Sequence, residues 1–507
     1  MSVAQDLQRS DLIVAVIGAG TMGRGIAQVC AQAGMTGLLF DSREGAACEA
    51  LAAIDKALDA QVAKGRMTAE IKQGTVSRLR AIGSLDEVAP AGIVIEAIVE
   101  ELVAKRELLR ALEQRIAPDA VIATNTSSLS VTEIAAGCGN PGRVAGLHFF
   151  NPPPLMRLVE VIGGLRSDPV LVEALTGFVR RIGKHPVVVA DTPGFVVNHA
   201  GRAYAPEALR IVAQGIASPR EVDSLMTEAA GFRMGPCELL DLIGADVTHA
   251  VMVSIYEQYF GEPMYQPSAQ LAVRVAGGLL GRKTRQGFYN YDGPGAASAP
   301  TVAVAVQPVP SVAWVADEDG GRELADWLAS AGVKCQVGGA PAPGALCFVT
   351  PLGEDATSAV VRLKLDPART VAVDMLGGFK GRRTVMKTPL TTPETLGAAV
   401  AALSTAAPVT TINDSAGFVV QRLLAMIVNI GSRIAELRIA APADIDTAVE
   451  LGLNYPRGPL ALGDMLGGRR VLAVLDGMHA VTRDPKYRAT AWLRRRALLG
   501  ISLLTPD

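Results

Sequence analysis

Leu12-Ile-Val-Ala-Val-Ile17-Gly18-Ala19-Gly20-Thr21-Met22-Gly23 is the stretch on which the fold turns. An apolar run of strand length ends in glycines spaced G-x-G-x-x-G, and a helical pattern, Met22–Ala33, follows at once. Each glycine has its own task in such a turn. The first makes the tight reversal, the second lets backbone approach a pyrophosphate, and the third lets helix pack on strand. The start of the helix offers N–H donors and partial positive charge to the phosphates. A second apolar run, Thr36–Phe40, ends at Asp41, where a carboxylate can accept hydrogen bonds from the hydroxyls of an adenosine ribose. Together these features predict a dinucleotide-binding unit. Asp41 would repel a 2′-phosphate, so NAD is expected rather than NADP, with only Arg43 arguing the other way.

Outward from this unit, strand-like runs recur at Ile93–Ile98, Ala120–Thr124, Arg143–Phe149, Leu158–Ile162 and Val187–Val189. A helical pattern carrying Ala50, Ile54, Ala57 and Leu58 runs towards Lys64-Gly65-Arg66. Strands alternating with helices predict the α/β class, here a doubly wound, mostly parallel sheet over residues 1–190. Helical periods then dominate residues 191–292. An internal repeat decides the rest. Asp191-Thr-Pro-Gly-Phe-Val-Val-Asn198 returns as Asp414-Ser-Ala-Gly-Phe-Val-Val-Gln421. At the same offset Pro219 meets Pro442, Asp223 meets Asp446, Gly235-Pro236 meets Gly458-Pro459, and Asp241 meets Asp464. The helical domain is therefore duplicated, with its second copy over 413–507. Between the copies lie a Pro/Ala/Gly-rich linker, 293–311, and a reduced Rossmann-like segment, 312–412. That segment has strands near Val312–Val315 and Thr370–Val373 and no glycine fingerprint.

The chain has 507 residues, and Lys+Arg 48 against Asp+Glu 50 leaves a net charge of −2, which excludes a general nucleic-acid-binding role. Nearly half the residues are apolar, enough for large cores, and alanine, valine and glycine supply most of the mean hydropathy of +0.29. The uncharged stretch Gly293–Ala316 contains Pro294, Pro300, Pro308 and Pro310, so no membrane-spanning helix is expected there. Asp6, Arg9 and Asp11 precede the first apolar run, unlike a secretory signal. The six cysteines form no CxxC pair and match no zinc spacing, so no metal is expected, and reduced thiols in a cytoplasmic protein are.

Thr124-Asn-Thr-Ser127-Ser128 ends one expected strand, His148 lies at the end of the next, and Glu160 lies on the strand after a short proline-rich connection. Ligands of open α/β sheets bind at the carboxyl ends of strands. If the strand carrying Glu160 runs antiparallel beside that of His148, the two side chains meet. The carboxylate would then orient the imidazole and stabilise its protonated form, as a base taking a hydroxyl proton requires. A lone histidine at a strand end is otherwise an ordinary structural residue.

These motifs occur within longer strings: GAGTMGRGIAQ, IVIEAIVEEL, TNTSSLSVTEI, GLHFFNPPPLMRLVEVI, GKHPVVVADTPGFVVN, MGPCELLDLIG and GRKTRQGFYNY. Over Val14 to about Tyr291 the sequence closely resembles the L-3-hydroxyacyl-CoA dehydrogenases. The resemblance implies that His148 is the catalytic base and Glu160 its partner, and that Ser127 and Asn198 bond the reacting oxygen. It adds Glu100, Lys105, Asn151 and Lys283 to Gly18, Gly20, Thr21, Met22, Gly23 and Asp41 as residues around NAD. The acyl-CoA substrate would lie near the long helix after the second strand, with Lys64, and Arg66 beside it, meeting its phosphates. Ala57 stands where some members carry a CoA-bonding serine, so that contact is missing.

The second half resembles the decayed copy found in long-form 3-hydroxybutyryl-CoA dehydrogenases, including those of phenylacetate catabolism. Gln421 replaces the asparagine, and Thr384-Val-Met-Lys387, the counterpart of LVEVI, lacks a glutamate. Short family members dimerise through the helical domain, so the second copy is expected to mimic that partner as an internal pseudo-dimer, and a homo-oligomer is a further expectation. The remaining alternative is a related dehydrogenase of a hydroxy acid without CoA, such as carnitine or gulonate. Substrate chain length is not readable from these residues.

Overall fold

β1 (Ile13–Ile17), β2 (Thr36–Phe40), β3 (Leu79–Ala81), β4 (Ile93–Glu96), β5 (Val121–Thr124), β6 (Val144–Phe149), β7 (Leu158–Gly163) and β8 (His185–Ala190) form the first sheet of the computed structural model. The structure describes residues 7–293, 307–378, 381–405 and 407–507. The strand order is β3-β2-β1-β4-β5-β6-β7-β8. Pairing is parallel except between β6 and β7. The order reverses at β1, so the crevice beyond the carboxyl ends of β1 and β4 is where a ligand is met.

The central strands read as unbroken apolar runs because both faces are covered. Val14, Val16, Ile93, Ile95 and Phe178 lie in the core on one face, and Ala15, Ile17, Val94, Ile122 and Leu109 in the core on the other. Each large aliphatic side chain so buried contributes about 1.5–3 kcal/mol. β3 had no sequence signal. It is the three-residue run Leu-Arg-Ala with only Leu79 buried, too short for any alternation to register.

By its internal contacts the chain divides into two units. One comprises the residues up to His199 together with Leu437–Asn454; the other comprises Ala200–Glu436 with Tyr455–Asp507. The first unit thus includes a piece of the second helical copy. Ala190, ending β8, donates its N–H to Ile439 O at 2.8 Å, and the helix Pro442–Leu453 packs on β7 and β8. Gly452 lies so close to Leu158 and Val197 that a Cβ would stand 2.8 Å from the valine methyl.

The second unit contains the smaller sheet: β9 (Val312–Val315), β10 (Lys334–Val337), β11 (Leu346–Val349), β12 (Thr370–Val373), β13 (Arg383–Lys387) and β14 (Val409–Ile412). Its order is β10-β9-β11-β12-β13-β14, again with one antiparallel pair, β12 with β13. Here Asn413, after β14, donates to Ile216 O at 3.1 Å. Asn413 and Ile216 are the repeat counterparts of Ala190 and Ile439. Each helical copy therefore supplies an acceptor to the last strand of the other copy's sheet. The helix Val419–Glu436 is buried at every position from Val419 to Ser432 and packs on the helix Tyr204–Ala213 of the first copy.

Among the described residues no single helix is long and apolar enough to cross a membrane. The pair Pro236–Ile243 and Ala245–Gln258 passes that test only together, and it bends by 100°.

Candidate active site

The glycine turn fits its expected ligand. Gly18 has φ +106°, and a Cβ there would stand 2.4 Å from Ala97 O, so only glycine fits. A Cβ on Gly23 would stand 1.7 Å from Gly18 O, whereas one on Gly20 would meet nothing within 4 Å. Gly20 begins the helix Thr21–Gln32, and no side chain caps that helix. Its first N–H groups are thus left for an anion, with open space above the middle glycine. Asp41 is tied into the turn: Oδ2 accepts from Ala19 N at 2.7 Å and Oδ1 from Arg43 N at 2.9 Å. The Arg43 guanidinium pairs with Glu49 at 2.6 Å, so the one residue that argued for a 2′-phosphate is engaged elsewhere.

At the far side of the sheet, His148 faces Glu160 across the antiparallel β6–β7 pair. His148 Nδ1 lies 2.7 Å from Glu160 Oε2. The histidine is 5% exposed and the glutamate 0%. A carboxylate can only accept in this contact, so Nδ1 carries the proton and Nε2 keeps its lone pair for a substrate. The other carboxylate oxygen of Glu160 accepts from Val196 N and Val197 N, both at 3.0 Å. These amides follow Phe195, which has a left-handed φ of 49° and is buried against the imidazole at 5.8 Å between ring centroids. A bulky residue in that region is held there only by its surroundings. Glu160 therefore fixes both the imidazole and the turn that begins the short helix Val197–Ala200 bearing Asn198.

Asn198 Nδ2 donates to Ser127 O at 3.2 Å, which joins the remaining two predicted residues. The Ser127 turn is held from its other side by Glu100, whose Oε1 accepts from Thr126 Oγ1 and Ser127 N, both at 2.7 Å, and from Ser128 N at 2.9 Å. Burial alone would raise the pKa of Glu100. The Lys105 ammonium and the hydrogen bonds from Thr126 and Ser127 outweigh it, and the carboxyl is held below its ordinary value. Lys105 is 1% exposed, with Nζ 2.6 Å from Glu96 Oε1 and 3.2 Å from Glu100 Oε2. Sequence reading missed Glu96. Its only signal is a carboxylate closing an otherwise apolar strand.

The structure thus brings Ser127, His148, Glu160 and Asn198 together in one unit, with Glu100 and Lys105 beside them. Asn151 is exposed at the turn after β6, and Lys64 is exposed at the end of the helix Ala46–Ala63. Lys283 belongs to the second unit, where it pairs with Asp246. A cavity of about 230 Å³ in the first unit is lined by Thr21, Arg24, Gln28, Ala53, Ala57 and Pro153, among others. A larger one, about 550 Å³, lies in the second unit around Arg210, Asp414 and Arg422, and none of the predicted catalytic residues lines it.

The second sheet can be read against the first by strand register. Thr124 pairs Gly146, which pairs Ile162; likewise Val349 pairs Ala372, which pairs Met386. Asp374 then occupies the place of His148, and Thr384 that of Glu160. Gln421, in the place of Asn198, donates to Asp374 Oδ1 and Pro351 O, both at 3.1 Å. A Cβ on Gly353 would stand 2.0 Å from Val474 O, because the helix Gly468–Thr482 closes on the loop after β11. The second copy thus has an aspartate where the first has its histidine, and a helix lies against the loop after β11.

Residues 13–192 match the family described as 3-hydroxyacyl-CoA dehydrogenase, NAD binding domain, and residues 194–291 and 417–501 match its C-terminal domain. This chain belongs to the 3-hydroxyacyl-CoA dehydrogenase family. The match of both helical copies to one domain description agrees with the repeat. Among the dehydrogenase's relatives, the 3-hydroxyadipyl-CoA dehydrogenase of Escherichia coli K12 is 37% identical over 488 residues, 96% of this chain and 97% of that protein. The 3-hydroxybutyryl-CoA dehydrogenase of Clostridioides difficile is 40% identical, covering 55% of this chain and 99% of its own length. The crystal structure of an Escherichia coli K12 3-hydroxybutyryl-CoA dehydrogenase superposes with a TM-score of 0.85 at 36% identity, over 97% of this chain and 99% of that one. The dehydrogenase's cofactor is NAD, in keeping with its NAD-binding domain and the Asp41 carboxylate.

Proposed function

We propose that this dehydrogenase oxidises (S)-3-hydroxyacyl-CoA thioesters to 3-ketoacyl-CoA with NAD, with 3-hydroxybutyryl-CoA or 3-hydroxyadipyl-CoA as the substrate. The observation that carries the reading is the 2.7 Å contact of His148 Nδ1 with a fully buried carboxylate at the carboxyl end of β6. That arrangement leaves Nε2 as the acceptor of the 3-hydroxyl proton, and Glu160 stabilises the imidazolium that results. The Ser127 hydroxyl and Asn198 Nδ2 donate to the substrate oxygen as its carbonyl forms. The chemistry supplied by bound NAD is acceptance of the hydride leaving C3. Gly18, Gly20, Thr21, Met22 and Gly23 hold its pyrophosphate and Asp41 its ribose, with Glu100 and Asn151 on the catalytic side.

The CoA portion is assigned to the cavity containing Ala57, with Lys64 and Arg66 for its phosphates. We place the protein in the cytoplasm, in fatty-acid β-oxidation or phenylacetate breakdown. The deciding experiment measures NADH formation from 3-hydroxybutyryl-CoA, 3-hydroxyadipyl-CoA, free carnitine and free gulonate. Turnover confined to the thioesters is expected. Turnover of a free acid at comparable kcat/KM would overturn the reading.

A further inference from the structure

We propose that Lys105 is a positioning residue for the Ser127 hydroxyl, acting through Glu100 and anchored by Glu96. The inference rests on the dehydrogenase reading above. Glu96 is the fixed point. It ends β4, is 0% exposed, and accepts from Thr124 Oγ1 at 2.6 Å and Ile98 N at 2.8 Å. A carboxylate so enclosed requires a cation, and Lys105 supplies it at 2.6 Å while reaching Glu100 Oε2 at 3.2 Å. The ammonium is 1% exposed and spent on these two groups. Glu100, by contrast, has a third of its side chain in the open, at 34%.

Glu100 Oε1 collects five contacts from the turn it holds. Those from Thr126 Oγ1, Ser127 N, Ser128 N and Ser128 Oγ lie between 2.7 and 3.0 Å; the one from Ser127 Oγ is 3.4 Å. The acceptor is already saturated by better-placed donors, so it holds the serine's backbone firmly and its hydroxyl weakly. A hydroxyl needed by the substrate oxygen must be in place yet not captured by a neighbouring carboxylate. Lys105 maintains that balance by drawing charge towards Oε2. Without the ammonium, Glu100 becomes a stronger acceptor, and the Ser127 hydroxyl turns to it. The Ser127 carbonyl, held by Asn198, keeps the turn from following.

The test is a double-mutant cycle between Lys105→Met and Ser127→Ala, read by kcat and by fluorescence titration of NADH. Lys105→Met is expected to lower kcat by about ten-fold or more, with NADH affinity changed by less than about two-fold, and Lys105→Arg to recover most of the loss. In the Ser127→Ala background Lys105→Met should cost nothing further. Multiplying effects, or a fall in NADH affinity matching that in kcat, would overturn the proposal and make Lys105 a separate catalytic group or a cofactor ligand. If Lys105→Met does not fold, Lys105→Gln carries the same cycle, since its amide removes the charge yet keeps a donor for Glu96. A Ser127→Ala variant with undiminished kcat would instead count against the assigned role of Ser127 in the reaction, before any linkage to Lys105.

Discussion

Glu160 meets three donors with two oxygens, and this sets what its substitution does. A glutamine keeps an oxygen for Val196 N and Val197 N but presents an amide N–H₂ to His148. The imidazole must then accept at Nδ1 and carry its proton on Nε2, the tautomer that cannot act as base. Glu160→Gln should therefore fold and bind NADH normally, yet lose about 10²–10⁴ in kcat, as should His148→Gln. Steady-state turnover beside NADH fluorescence titration distinguishes this from a binding defect. Gly23→Val is the converse case. Its Cβ would overlap Gly18 O, so NADH affinity should fall by about ten-fold or more while the His148–Glu160 pair stays intact. Both sites were legible because each is a local pattern: glycine spacing after a strand, and a strand, a proline turn and a strand of matched length. Glu96 was not, since nothing in a short apolar run says which cation its last residue will meet.

Between elements, the contact of the two helical copies is organised around a buried charge. Glu207, on the helix Tyr204–Ala213, is 0% exposed and accepts from Arg422 Nε at 2.8 Å and Tyr487 Oη at 2.9 Å, with Lys486 at 3.2 Å. Burial alone would raise its pKa, but Arg422 and Lys486 outweigh it and hold the carboxyl at about 2, against an ordinary 4.5. A depressed native value means stability that is complete above the unfolded pKa and lost as pH falls through the native one. Acidification from about pH 4.5 to 2 should thus remove up to about 3 kcal/mol. Glu207→Gln should abolish that part of the acid dependence. It should also destabilise the protein at pH 7 by about 3–5 kcal/mol, because two buried cations lose their partner. Urea unfolding at several pH values reads both. The repeat announced that two copies exist; the cluster joins residues far apart in sequence, and its one-sidedness was not legible. The repeat counterpart of Glu207 is Ile430, and that of Arg422 is His199.

Over the whole molecule, the repeat explains why the chain is longer than one catalytic apparatus requires. In the proposed reaction the chemistry is carried by the first sheet and by Asn198, just after it, while the second copy covers surfaces on the first. A chain ending near Asp292 loses Val419–Glu436 from the face of Tyr204–Ala213, and Ile439 from the edge of β8. It is expected to dimerise or aggregate, as light scattering after gel filtration would report; a monomeric, soluble and fully active fragment would contradict this. The domain order was legible as alternating periods and a repeat. The assignment of Leu437–Asn454 to the first unit was not, because it depends on where a distant segment returns. That return has a consequence for synthesis. The N–H of Ala190 waits for a carbonyl, Ile439 O, that leaves the ribosome long after it. Until then β8 is an open edge able to pair with any passing strand. The last strand of the half encoded first therefore gains this partner only once most of the second half has been translated, and a chain released earlier would be expected to carry that N–H unpaired at a sheet edge.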